Sequence, residues 1–203
     1  MYRWSACPGS VRLSKDVPRV SSRYAAEGTL AHRIAQAGLA VDRPDIQTLL
    51  GTKHTVEGHE FEVDADMLRG VQLYLDTVFG TYNQATDTLV VEHKFDLSAI
   101  YPGLYGTADA VTWRPKERLL VVDDLKFGAG KVVEPERNPQ QMYYALGALL
   151  AGKYGAENVT LRIVQPRCAH PKGPVRPWTL PAIDLLDFAA DLKAYAAATE
   201  AMD

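Results

Sequence analysis

Residues 106–127, GTADAVTWRPKERLLVVDDLKF, contain the pattern that decides the fold. Two β-type runs flank the short polar segment RPKER, which predicts a β-hairpin. Apolar residues alternate through both runs, but Asp109 interrupts the first run and DDLK, at residues 123–126, interrupts the second. Charges buried in a sheet are costly unless they are paired or bound to a metal ion. The hairpin therefore needs partners for its carboxylates.

The composition is typical of one well-packed domain. The chain has 203 residues, of which 47% are hydrophobic and 23% charged, so we predict a single domain over residues 1–203. The formal net charge of -3 argues against a general nucleic-acid coat, unless the acids are metal ligands whose charge the ions cancel. No apolar run approaches a membrane span and the N-terminus lacks a signal-peptide pattern, so we expect no membrane partner and a cytoplasmic location.

The order of elements predicts an α/β fold. Helices are expected at residues 21–40, with Ser21 or Ser22 as N-cap, and at residues 64–82, where apolar residues recur every three or four positions. Strands are expected at residues 88–95, 106–113, 118–127 and 158–166. Asn138 and Pro139 open a helix that runs to residue 152, and a final helix covers residues 182–201. This order predicts a central mixed β-sheet flanked by helices.

Strand geometry suggests why the hairpin carries charges. Asp124 and Lys126 are two residues apart and project to the same side of a strand, whereas Asp123 and Leu125 face the other side. If the hairpin pairs its strands, Asp109 comes opposite or near Asp124. Two carboxylates suit Mg²⁺ or Mn²⁺, and a lysine beside them can position or help to deprotonate a water molecule. The alternative interpretation is an ordinary salt-bridged strand pair.

Three further features bear on that alternative. Gln140 and Tyr144 are four residues apart and share one face of the helix that follows the hairpin. Glu27 and His32 flank the segment EGTLAH in the first helix. Lys131, in KFGAGK, is a candidate phosphate contact, although a solvated turn explains that segment equally well.

These residues, taken in order, resemble the motifs of a nuclease superfamily. His32, Asp109, the DLK of residues 124–126 and the QQMYY of residues 140–144 are similar to the motifs of the PD-(D/E)XK superfamily, in its RecB-like and Cas4-like branch. The phrases RWSACPGS, YAAEGTLAH, GTADAV, QMYYALGAL and VQPR resemble more specifically the phage-associated DUF2800 proteins. Four ordered motifs are far more specific than one.

The resemblance implies a restriction-endonuclease-like core and roles for particular residues. The metal ligands it implies are His32, Asp109, Asp124 and the backbone carbonyl of Leu125, and the catalytic residues are Asp109, Asp124 and Lys126. Gln140 and Tyr144 would orient the scissile phosphate or support the site. Glu27 and Glu92 are candidate outer-shell acids, although Glu92 is equally well a surface strand residue. Asp123 departs from the pattern, since relatives usually place an apolar residue there, and we expect it to be structural, or an alternate metal ligand if the strand register differs.

The cysteines argue against an iron–sulfur cluster in this chain. Related Cas4-like nucleases hold a cluster through one cysteine near the N-terminus, where Cys7 lies, and three after the last helix. A cluster needs about four thiolates, and this chain has only Cys7 and Cys168. Either this form lost the cluster, or the chain lacks a C-terminal cysteine-rich segment.

The resulting functional hypothesis is metal-dependent hydrolysis of phosphodiester bonds in DNA. By resemblance, the protein is an exonuclease acting at DNA ends in phage recombination or repair, with a phage single-strand annealing or recombination protein as a possible partner in the bacterial host. Two alternatives stay open. One is a catalytically idle DNA- or protein-binding module on the same fold, and the other is a metal hydrolase of small phosphates.

Overall fold

The computed structural model describes residues 21–40 and 43–200, and it has three layers, with helices on both faces of a central sheet. The helices are α1 (Arg23–Gly38), α2 (Ala65–Thr81), α3 (Pro139–Gly152) and α4 (Ala182–Glu200), with a 3₁₀ helix at Ile46–Leu49. The strands are β1 (Lys53–Val56), β2 (His59–Glu62), β3 (Thr88–Asp96), β4 (Tyr105–Arg114), β5 (Leu119–Leu125), β6 (Asn158–Val164) and β7 (Val175–Pro181). The predicted α/β class with a central mixed sheet is confirmed.

The central sheet has the strand order β3-β4-β5-β6-β7. Only β5 and β6 run parallel, and α3 forms the crossover between them, while the other neighbouring pairs are antiparallel. One core joins α1 and α2 to one face of the sheet, and a second core joins α3 and α4 to the other face. The strand β5, which carries DDL of the DDLK segment, is therefore central and covered on both faces.

Polar side chains set the starts of the helices. Ser22, one of the two predicted caps, accepts a hydrogen bond from the Ala25 amide at 3.2 Å. Asn138 accepts from the amides of Gln140 and Gln141, and Pro139 occupies the first turn, as predicted for α3.

Three strands and the 3₁₀ helix at Ile46–Leu49 were not predicted from the sequence. The hairpin β1–β2 lies between α1 and α2, and β7 forms the edge of the sheet before α4. Residue 201, which was expected to end the last helix, lies outside the described residues. Within residues 21–40 and 43–200, no helix combines the length and the apolar character needed to cross a bilayer.

The side of β3 that packs against the α1/α2 core changes at Glu92. Val91 packs against the α1/α2 core, whereas Phe95, four residues further on, belongs to the α3/α4 core, although a regular strand would keep both on one face. Glu92 has a φ of 51°, in the left-handed region that a non-glycine residue adopts only at a cost. Across the ladder, Ala110 and Ala108 are divided between the same two cores. The sheet is therefore twisted where Glu92 meets Asp109.

Asp123 is held by an ion pair inside the fold. Its carboxylate is fully buried and accepts hydrogen bonds from Nε and Nη2 of Arg162 on β6, the second at 3.0 Å. Arg162 Nη2 also donates to the hydroxyl of Thr81 at the end of α2, at 3.1 Å. Burial raises the pKa of Asp123, and the guanidinium opposes that change. Asp123 therefore has a structural role, because its ion pair with Arg162 joins β5, β6 and the end of α2.

We predict that Arg162→Met lowers the free energy of unfolding by about 3–5 kcal/mol, because it leaves the Asp123 carboxylate buried without a cation. The double variant Asp123→Leu/Arg162→Met should recover most of that loss, since it removes both charges. Urea denaturation of the two variants measures the difference. A double variant no more stable than Arg162→Met would contradict this account.

Candidate active site

A cleft of about 710 Å³ lies between α1, the end of β5 and the loop that follows it. Of the residues predicted to be functional, it is lined by His32, Glu92, Asp109, Leu125, Lys126 and Lys131. Candidate residues from α1, β3, β4, the end of β5 and the loop after it therefore line one open cleft.

Asp109 lies where β4 and β5 separate. The ladder between these strands runs as far as the pair Ala110 and Asp123, so one further step would align Asp109 with Asp124, near the position expected. Instead of continuing the ladder, the Asp109 carboxylate accepts a hydrogen bond from the Leu125 amide through Oδ2, at 3.0 Å. The same oxygen is 3.3 Å from Nδ1 of His32 on α1. Asp109 thus links both strands to α1.

Asp124 and Lys126 form a buried ion pair beside this junction. The Asp124 side chain is only 3% exposed, and Lys126 Nζ lies 2.9 Å from its Oδ1 and 2.7 Å from its Oδ2. The contact to Oδ2 is an ion contact without hydrogen-bond geometry. Burial lowers the pKa of Lys126, but the charge and hydrogen bond of Asp124 outweigh burial and the pKa is raised. Lys126 therefore stays an ammonium.

The imidazole of His32 is electrostatically coupled to the carboxylates. Burial lowers the pKa of His32, but the hydrogen bond to Asp109 and the negative charges of Asp109 and Asp124 outweigh it. The net result is a raised pKa, so protonation of His32 is favoured by its neighbours.

Glu92 faces the same cleft from β3. It stands directly opposite Asp109, between the paired positions Val91–Ala110 and His93–Ala108. Burial raises the pKa of Glu92, and the charge of Asp109 raises it further. Glu92 is therefore an acid of the cleft and not a distant surface residue.

Gln140 and Tyr144 lie on α3, outside the cleft lining. Gln140 Nε2 donates to the Tyr144 hydroxyl at 2.7 Å. Burial raises the pKa of Tyr144 and the charge of Asp124 adds to this, which places Tyr144 within electrostatic reach of the Asp124 pair. Gln140 and Tyr144 therefore lie near the Asp124–Lys126 pair but do not line the open space.

Glu27 is placed away from the candidate ligands. Its carboxylate is 3.0 Å from Nη1 of Arg167, whose guanidinium also covers the ring of Phe127 and reaches Asp66 of α2. The structure thus joins Glu27 to the segment after β6 and not to His32. Cys168 has a free thiol, and Cys7 lies outside the described residues, so the expectation about an iron–sulfur cluster stays a prediction.

The donors suit a hard divalent cation, although they are not yet arranged as a complete ligand set. Asp124 Oδ2 is a buried carboxylate oxygen without a hydrogen-bond partner. Burial raises the pKa of Asp124, and the charges of Asp109 and His32 also shift it, the first upward and the second downward. Among the described side chains, no three histidines, cysteines or acids are grouped closely enough to hold a metal ion. The Lys126 ammonium occupies the approach to Asp124 that a metal cation would need.

Gln165 and Arg176, which no sequence motif marked as functional, hold the loop that lines the cleft. Gln165, 2% exposed at the end of β6, accepts from the Val133 amide at 3.1 Å and donates to the Lys131 carbonyl at 2.9 Å. Arg176 of β7 donates to Gln165 Oε1 at 2.6 Å and to the Val133 carbonyl at 2.9 Å. Together they fix the backbone of the loop that carries Lys131. A glutamine directly after the predominantly apolar strand residues 159–164 was the available signal.

We predict that Asp109→Asn lowers the pKa of His32 in the metal-free protein. The substitution removes the charge that opposes burial, so the neutral imidazole is favoured at a lower pH. Titration of the His32 ring signals by NMR, in EDTA, measures the shift. Asp187→Asn on α4 makes the same charge change far from the site and should leave the His32 titration unaltered. An unchanged His32 pKa in Asp109→Asn would contradict the coupling.

We predict that Gln165→Leu loosens the loop over residues 128–133. It removes the acceptor of the Val133 amide, the donor to the Lys131 carbonyl and one of the acceptors of Arg176, which costs about 1–3 kcal/mol of stability. Trypsin should then cut after Lys131 faster than in the wild type, as seen by mass spectrometry of the fragments. Gln72→Leu, on α2, is the matched control. Equal cleavage rates in wild type and Gln165→Leu would show that this side chain does not hold the loop.

Comparisons with known proteins identify a family but no activity. A family model described as "Protein of unknown function (DUF2800)" matches residues 1–203. A solved structure, "Crystal structure of SSO0001", is similar over 94% of this chain and 85% of that chain, with 13% sequence identity and a TM-score of 0.31. That likeness is too low to support an argument about the site.

Proposed function

The chain belongs to the DUF2800 family, and from that premise we propose that its cleft is the active site of a metal-dependent DNA nuclease. The proposal includes a restriction-endonuclease-like core of the PD-(D/E)XK type, in which β4 and β5 carry the acids and the lysine. The fold class and the matched family are compatible with it, and the chemistry of the cleft is its main support.

The observation that carries the proposal is the junction at the end of the β4–β5 hairpin. There His32, Asp109 and Lys126 line one open cleft, and the Asp124 carboxylate, buried behind the lining, is paired with Lys126. A purely structural salt bridge between Asp124 and Lys126 does not require a second acid and a histidine on a neighbouring helix. Buried acids and bases grouped in a cleft are typical of active sites.

Each residue has a distinct role in this proposal. Asp109, Asp124, His32 and the Leu125 carbonyl would hold Mg²⁺ or Mn²⁺, which would supply Lewis acidity toward a phosphate and toward an attacking water. Lys126 keeps its proton and stabilises negative charge that develops on the phosphate. Lys131, exposed and without an ion-pair partner among the described residues, contacts a neighbouring phosphate. Gln140 and Tyr144 support Asp124, and Glu92 acts as an outer acid through its proximity to Asp109.

The biological setting follows only from the resemblance noted above. We propose an exonuclease that acts at DNA ends in phage recombination or repair, in the cytoplasm of a bacterial host. A phage single-strand annealing or recombination protein is the proposed partner.

One observation favours a second candidate, a DNA-binding or protein-binding module without activity. Lys126 neutralises Asp124 at 2.7 Å, and the described side chains form no ready three-ligand group. In such a module Lys126 would be a permanent partner of Asp124 and no cation would displace it.

A cleavage assay separates these functions. Linear and circular DNA and a panel of nucleotides are incubated with the protein, with and without Mn²⁺. Metal-dependent loss of linear DNA supports the exonuclease, and cutting of circular DNA indicates an endonuclease instead. Hydrolysis of nucleotides alone identifies a hydrolase of small phosphates. Binding of DNA without any cleavage, together with a melting temperature that Mn²⁺ does not raise, contradicts the nuclease.

We predict that Lys126→Ala lowers the cleavage rate by roughly 10²- to 10⁴-fold, because the ammonium stabilises charge in the transition state. Mn²⁺ affinity, measured by calorimetry, should be equal or higher, since the variant removes a cation from Asp124. Asp124→Ala should weaken Mn²⁺ binding, and Lys193→Ala on α4 should change neither property. Cleavage by Lys126→Ala at the wild-type rate would reduce Lys126 to an ion-pair partner.

A further inference from the structure

One face of α1 forms a wall of the cleft. Tyr24, Gly28 and His32 follow one another at intervals of four residues, so they lie in a row along the helix. We infer that this row is a track for one unpaired DNA strand, in which Tyr24 stacks on a base and Gly28 admits the strand close to the helix. The inference rests on the proposed nuclease and names the form of its substrate.

Gly28 has no structural explanation within the described residues. Glycine inside a helix lowers stability relative to alanine. At Gly147 of α3 packing explains the choice, because a Cβ there would collide with the ring of Phe95. At Gly28 a Cβ would meet no atom within 4 Å, yet the residue lines the cleft. A ligand that approaches the helix closely at this point accounts for a glycine that packing among residues 21–40 and 43–200 does not require.

Tyr24 presents an aromatic ring to solvent at the edge of the cleft. It is 84% exposed, and no aromatic or cationic group of the described residues stacks on it. Proteins that bind single strands use such rings as platforms for bases, whereas the faces of paired bases inside a duplex are already covered by their neighbours. The ring therefore suits an unpaired base.

Two cations flank the same row. Arg33 on α1 and Lys131 on the opposite loop line the cleft, and neither forms an ion pair with a described carboxylate. Both are available for phosphates of a strand that passes between α1 and the loop.

The helix also sets the distance between the two ends of the track. Tyr24 and His32 are eight residues apart, which is about 12 Å at about 1.5 Å per residue. Stacked nucleotides advance about 3.4 Å each, so the base on Tyr24 lies about three to four nucleotides from the phosphate beside His32.

Binding in EDTA tests the Tyr24 platform without requiring cleavage. The probe is a fluorescent thymidine oligonucleotide of about 12 nucleotides, and anisotropy measures its dissociation constant. Tyr24→Ala should weaken binding by roughly 5- to 150-fold, Tyr24→Trp should retain it, and a duplex of the same length should be affected little by either. Tyr105→Ala, which removes another exposed tyrosine outside the cleft, is the matched control. Equal losses for single strand and duplex would overturn the assignment to an unpaired base.

Gly28→Ala provides an independent test, because stability and binding should change in opposite directions. The melting temperature should rise by about 1–4 °C, while binding of the same oligonucleotide should weaken by about tenfold or more. Gly80→Ala, at an exposed helical glycine of α2 that also has open space around it, should raise stability without affecting binding. Intact binding by Gly28→Ala would overturn the close approach.

The outcomes also separate this inference from the proposed function. A wild type that binds the oligonucleotide through Tyr24 but never cuts DNA supports the track and contradicts the nuclease. A wild type that cuts DNA, with full activity and affinity retained in Tyr24→Ala, contradicts the track alone. A wild type that binds no single strand overturns the track.

Discussion

Two consecutive aspartates lie buried in the central strand of the sheet, and each requires a cation on its own face. Asp123 and Asp124 are 0% and 2% exposed, and because neighbouring strand residues point to opposite sides, one cation cannot serve both. Arg162 meets Asp123 and Lys126 meets Asp124. Without these partners, β5 would carry two uncompensated charges through the middle of the protein. The neighbouring strand β6 supplies the cation for Asp123, and the residues directly after β5 supply the cation for Asp124.

The cation is enclosed on one face of β5 and partly exposed on the other. We assign the enclosed Asp123–Arg162 pair to the stability of the fold and the partly exposed Asp124–Lys126 pair to the proposed chemistry. Arg162 holds Asp123 with two hydrogen bonds and is itself tied to Thr81, so that pair is closed to other ligands. Lys126 contacts both oxygens of Asp124, but its side chain is partly exposed and lines the cleft. A buried pair enclosed on all sides fixes a fold, whereas a pair whose cation borders an open cleft can be reached by a ligand.

Sequence patterns predicted the elements that bury regular apolar stripes, and they failed where burial is slight or prolines intervene. The hairpin β1–β2 buries only Val56 and Phe61, so its alternation is weak. The strand β7 contains Pro177, a residue that argues against a strand in sequence. The proline is tolerated there because β7 lies at the edge of the sheet. The spacing of Asp124 and Lys126 was readable from strand geometry. The bonds of Gln165 were not, because its partners are mostly backbone groups of a distant loop.

The single parallel strand pair has a consequence for the order of folding. Strands β3, β4 and β5 are consecutive and pair through short connections, so the hairpin with Asp109, Asp124 and Lys126 depends on local contacts. The pairing of β6 with β5 must first close the long crossover through α3, and non-local closure of this kind is entropically slow. Gln165 and Arg176 reach the cleft only after β6 and β7 have joined. A chain stalled before that step would be compact and carry its acids in place, but the loop wall facing α1 would still be unformed.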